Sequence, residues 1–110
     1  MAERYKTYSA FFDFYLSEHS RPATRAVHYL GSVCGLSALA LTVSTGHLWW
    51  IAAGLVAGYG CAWVGHFFIE HNRPATFKYP LWSLIGDYHM FGLWLTGQLS
   101  KRRALAASRM

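Results

Sequence analysis

Two long uncharged runs dominate the chain. Tyr29 to Gly46 carries no Asp, Glu, Lys or Arg, and after a short turn around Gly46 and His47 the chain is uncharged again from Leu48 to Ile69. Wound as helices, both runs are about long enough to cross the ~30 Å hydrocarbon core of a bilayer. The pattern predicts a helical hairpin with a very small loop. Gly54, Gly58 and Gly65 recur along the second run, with Ala57 and Ala62 among them. Small residues at such spacing let helix backbones approach closely in a membrane. They also invite a second copy of the chain, so a homodimer is expected.

The flanks are patterned differently. Between Tyr5 and Glu18, the apolar residues Tyr8, Phe11, Phe12, Tyr15 and Leu16 recur at spacings of three and four, which predicts an amphipathic helix with an aromatic face. Such a helix would rest on the membrane surface or on the hairpin. Ser20 or Arg21 should end it, because the residue before Pro22 is disfavoured in the helical region and Pro22 itself suits the first turn of a new helix. Asn72, Arg73 and Pro74 should interrupt the chain in the same way at the end of the second run. Beyond Pro80, Leu81 to Leu99 is apolar again but holds Asp87 and His89. A full crossing there would place Lys101, Arg102 and Arg103 on the outer side, against the positive-inside preference. The expectation is an interfacial or re-entrant helix, followed by a frayed basic tail. The fold class is therefore all-α, a single membrane-associated domain over 1–110 built on a membrane-embedded hairpin.

Composition supports a membrane setting. Of the 110 residues 54% are hydrophobic and only 14% charged, against about 25% charged in ordinary globular proteins. The formal charge of +5 could serve nucleic acid or an anionic surface. Its distribution decides: no Lys or Arg lies between Arg25 and Arg73, so the basic residues flank the hairpin rather than forming a continuous face. That argues against nucleic acid, for a lipid bilayer as partner, and for both hairpin ends on the cytoplasmic side of a multi-pass protein. Cys34 and Cys61 sit in apolar stretches without a CxxC pattern and read as two buried thiols. Met1 to Ser17 lacks a long apolar core, so a cleaved signal peptide is not expected.

The chemistry gathers where the runs begin and end. Glu18-His19-Ser20-Arg21-Pro22-Ala23-Thr24 is repeated as Glu70-His71-Asn72-Arg73-Pro74-Ala75-Thr76, with six of seven positions identical. In both copies the proline and threonine read as devices that end one helix and begin the next. The hairpin would bring His19, His28, His66 and Glu70 to one depth, with His66 and Glu70 on one helix face at a spacing of four. Imidazoles with a carboxylate suit Fe(II), Mn(II) or Zn(II). The same residues also read as axial haem ligands, or as helix-end groups of a non-catalytic scaffold. His71 lies about 100° round the helix from Glu70. His89, beside Asp87, is a further candidate ligand, and His47 stands alone in the opposite turn. Arg21 and Arg73 could meet lipid phosphate, pair with Glu18 and Glu70, or hold a substrate carboxylate by bidentate hydrogen bonds.

Three segments carry a family resemblance: Phe11 to His19, His28-Tyr29-Leu30-Gly31, and above all Gly65-His66-Phe67-Phe68-Ile69-Glu70-His71-Asn72-Arg73-Pro74-Ala75-Thr76-Phe77. They resemble the small multi-helix membrane proteins whose yeast member is an Fe(II)-dependent dioxygenase that shortens 2-hydroxy fatty acids by one carbon. The resemblance implies iron as cofactor, and O2 and a 2-hydroxy fatty acid as substrates. It implies His19, His28 and His66 as metal ligands, with Glu70 as ligand or as a residue that orients one. His71 and His89 rank behind them, and Glu70 and Arg73 are the candidate catalytic side chains.

Overall fold

A computed structural model of the chain describes residues 5–73 and 78–109. Pro74, where the sequence places a new chain direction, lies outside the described residues. Every regular element among them is helical: α1 (Tyr8–Ser17), α2 (Pro22–Thr45), α3 (Trp49–Val64), a π-helical segment (Gly65–Glu70) that continues α3, α4 (Pro80–Leu95) and α5 (Leu99–Ser108).

The boundaries follow local chemistry. Thr7 is extended and its side-chain oxygen accepts the Ala10 N–H at 3.2 Å, which caps α1. Arg21 is extended, as a residue before proline should be, and Pro22 occupies the first turn of α2. Gly46 closes α2 in the left-handed region at φ 75°, giving its N–H to the Thr42 carbonyl at 2.9 Å. The second long helix ends on His71, also left-handed at φ 61°.

Packing divides the chain into two compact units, Arg21–Pro74 and the joined flanks Met1–Ser20 with Ala75–Met110. The first is the hairpin. Its two helices, Pro22–Thr45 and Trp49–Glu70, are long and apolar enough to cross a membrane. Their seam is made of small residues. A Cβ on Gly31 would meet the Gly58 carbonyl oxygen at 3.0 Å, and one on Gly54 would run into the Ala38 methyl. The glycines thus serve contact between α2 and α3 of the same chain, so they no longer argue for a second copy. Large apolar side chains point outward, among them Leu36, Leu39, Val43, Leu55 and Val56.

In the flanking unit, α1 packs on both α4 and α5. The aromatic face of α1 is covered by these helices, which the sequence had not named as its cover. Phe11, Phe12, Tyr15, Leu16 and Met90 are buried, and Gly86 of α4 lets the Tyr15 ring approach to the 3.2 Å that a Cβ would occupy. One expectation is corrected here. The residues after Lys101 are not a frayed tail but the body of α5, because Arg102 reaches buried Asp13 at 2.7 Å and Arg109 reaches it at 3.1 Å. The apolar stretch 81–99 is correspondingly two elements, broken at Thr96 and at Gly97, whose φ is 75°. At 16 residues, α4 spans about 24 Å, short of a ~30 Å crossing. Cys34 and Cys61 are free and half-buried rather than fully buried.

Candidate metal centre

In the hairpin unit, His28 lies in the second turn of α2 and His66 near the start of the π-helical segment. Their rings meet edge to face, with centroids 5.1 Å apart and planes at 87°. Gly65 makes room for this: a Cβ there would sit 3.2 Å from the Thr24 methyl and 3.6 Å from His28 Nδ1. The sequence reading treated His66 and Glu70 as an α-helical pair, whereas the segment is π-wound, a local form that recurs at functional sites. Glu70 accepts the Arg21 backbone N–H at 2.5 Å. That bond joins the end of the second long helix to the start of the first.

Asn72 holds His66 from two sides. Its backbone N–H reaches the His66 carbonyl at 2.8 Å, and its side-chain oxygen lies 2.6 Å from His66 Nδ1. The left-handed His71 turns the chain back far enough for both contacts. An amide oxygen can only accept, so the Nδ1 of His66 carries the proton and Nε2 keeps its lone pair. Sequence reasoning singled out Asn72 only as a helix interrupter. The signal was present nonetheless: Ser20 and Asn72 occupy the one position at which the two repeat copies differ.

In the flanking unit, His19 follows α1. Its Nδ1 lies 2.6 Å from the Tyr15 carbonyl, and its ring stacks on Tyr15 with centroids 4.1 Å apart. A carbonyl also only accepts, so His19 has the same tautomer, with Nε2 as the donor atom. The Tyr15 hydroxyl in turn donates to Asp87. Burial pushes the Asp87 carboxyl up to about 7, with the Tyr15 hydrogen bond opposing.

His89 is built into the aromatic core of this unit. Its ring stacks on Phe12 with centroids 3.9 Å apart, and Nδ1 lies 2.9 Å from the Tyr8 hydroxyl. Burial, then the nearby Arg102 charge, lower its pKa. His71 and Arg73 are exposed just past the π-helical segment, and His47 is exposed in the hairpin turn.

The histidines thus fall into two groups. His19, His28 and His66 are 1%, 5% and 3% exposed, while the others are exposed or stacked in an aromatic core. Three buried histidines could bind a metal ion. The donor set is consistent with this, since two of the three rings are fixed through Nδ1 in the orientation that metal-binding histidines commonly show.

The profile of the family described as 2-hydroxy-palmitic acid dioxygenase Mpo1-like matches residues 5–99. The chain belongs to the Mpo1-like family. The match runs from the residues before α1 to the first residue of α5 and includes every histidine. No curated protein and no solved structure gives a match. The family description names dioxygenase chemistry on a 2-hydroxy fatty acid, the activity that the resemblance of the sequence also implied.

Proposed function

We propose that this Mpo1-like protein is an Fe(II)-dependent dioxygenase that converts a 2-hydroxy fatty acid to the acid one carbon shorter at the cytoplasmic face of a membrane. The observation that carries the proposal is the pair of fixed tautomers. His19 and His66 are each held through Nδ1 by an acceptor, which leaves Nε2 as the ligand atom. His28 meets His66 edge-on and supplies the third imidazole.

When bound, Fe(II) supplies redox chemistry for the O2-dependent oxidation and a template for the hydroxyl and carboxylate of the acid. The protein's own residues do the rest. Asn72 and the Tyr15 carbonyl hold two of the ligand rings in one orientation, so that little rearrangement accompanies binding. Glu70 is a positioning residue, tying the first turn of α2 to the segment that carries His66. Arg73, exposed at the hairpin end, offers a guanidinium to the substrate carboxylate.

The outward apolar surface supports the membrane setting. Less than a third of either long apolar stretch is buried, whereas the core helix of a soluble protein would be mostly covered. Lipid is the proposed cover, and an alkyl chain could remain in it while the head group reaches the histidines. Purified protein should hold iron in stoichiometric amount and turn 2-hydroxypalmitate into the acid one carbon shorter in the presence of O2. His66→Ala should lose both the iron and the product, and full turnover by that variant would overturn the proposal.

A further inference from the structure

Thr24 closes the first copy of the repeat, where the sequence pattern suggests a helix-starting role. The structure gives it a different one. Arg21, not Thr24, is the capping residue of α2, and no side chain caps that helix. Helical threonines commonly donate to the carbonyl one turn back, as Thr42, Thr45 and Thr96 do here at 2.9, 2.6 and 2.9 Å. The Thr24 hydroxyl does not. Thr24 is 0% exposed, and its Oγ1 is buried without a hydrogen-bond partner among the described residues.

Its surroundings are the histidine pair. Thr24 lies four residues before His28, so both share one face of α2. Its methyl group faces Gly65, the residue before His66, at the 3.2 Å that a Cβ would leave. A buried hydroxyl that has given up water without gaining a partner destabilises a fold. An oxygen-bearing ligand would supply the missing partner.

We infer that the Thr24 hydroxyl donates a hydrogen bond to an oxygen of the 2-hydroxy acid head group, making Thr24 a contact that selects such ligands. The inference rests on the dioxygenase reading above and adds a residue to it. Thr24 acts on the ligand, while Asn72 and Tyr15 act on the histidines. Its loss should therefore leave the metal in place.

The test uses iron-loaded protein in detergent without O2, so that binding is observed without turnover. Wild type, Thr24→Val and Thr24→Ser are compared by iron content, by thermal unfolding without ligand, and by calorimetric titration with 2-hydroxypalmitate. The Val variant removes the hydroxyl at nearly constant shape. It should keep its iron and unfold at or above the wild-type temperature, because no internal hydrogen bond is lost. It should nevertheless bind 2-hydroxypalmitate about five- to tenfold more weakly, the equivalent of one hydrogen bond. The Ser variant should bind within about twofold of wild type, a gap too small to represent a lost hydrogen bond.

Equal affinity of the Val variant and wild type overturns the inference while leaving the dioxygenase reading intact. A Val variant that fails to fold, or unfolds below wild type, shows the hydroxyl to be bonded within the protein and also overturns it. Wild-type protein that takes up iron but does not bind 2-hydroxypalmitate removes the dioxygenase reading and this inference together.

Discussion

The hairpin unit and the flanking unit are both helical, yet they are built inside out with respect to each other. In the hairpin, Gly31, Ala38, Gly54 and Ala62 are inside, while Leu39, Val43, Leu55 and Val56 are outside. In the flanking unit, Phe11, Phe12, Tyr15 and Met90 fill the interior, and a buried aspartate is paired with two arginines. The first arrangement relies on close backbone contact between small residues, the packing style of helices in lipid. The second has the large apolar core and satisfied charges of a protein that meets water. Each unit holds a buried histidine whose ring is oriented by a polar partner close in sequence, Tyr15 for His19 and Asn72 for His66.

The largest expected effect strikes the flanking unit. Asp13→Ala leaves the largely buried Arg102 without its partner, while Arg109, 46% exposed, can turn to water; the loss of stability should be about 3 kcal/mol, the low end for breaking a buried ion pair. Denaturant unfolding measures it, and trypsin should then cut at Lys101 to Arg103 as α5 comes away. Unchanged proteolysis would show that α5 is held by its apolar residues instead.

Asp87 gives the same unit a pH dependence. Its carboxyl titrates near 7 when folded and near 3.8 as a free group, so the folded state holds the extra proton between those values. Stability from this group is complete below about pH 4 and is lost as pH rises through 7, by a few kcal/mol. His89, whose pKa burial lowers, acts in the opposite sense, so the test is the difference between proteins: relative to wild type, Asp87→Asn should lose the contribution to unfolding temperature that falls between about pH 4 and pH 7.

The hairpin should respond to volume rather than to charge. Gly54→Leu forces α3 away from Ala38, and overpacking of this kind removes about 1–3 kcal/mol. Thermal unfolding in detergent checks it, and a tolerated leucine would mean that the seam is looser than the glycine contacts imply. The mildest change is Asn72→Ala, which frees the His66 ring without altering the seam. Metal affinity should drop about 10- to 100-fold with helix content unchanged by circular dichroism, measured by competition with a chelator.

Much of the architecture was legible in the sequence. Absence of charge marked both long helices, Gly46 marked the turn between them, and Pro22 marked the start of α2, because each acts through local backbone geometry or local hydropathy. His19, His28 and His66 stood out because they lie where those runs begin and end. The basic tail was misread as frayed because nothing near Arg102 or Arg109 in the chain shows that they will meet Asp13. The glycines of α3 were read correctly as contact residues, but the contact is with α2 of the same chain.

The sequence by itself determined the helices, the hairpin, the family and the three histidines, since periodicity, chain-turning residues and residue identity are properties of short segments. Only the tertiary structure decided which polar groups pair. Glu70 meets Arg21 across 49 positions, and Arg109 meets Asp13 across 96. The π-wound segment that carries His66 likewise has Gly65 lying against Thr24, 41 positions earlier in the chain. Such pairings are fixed by distance in space, which a linear pattern does not encode.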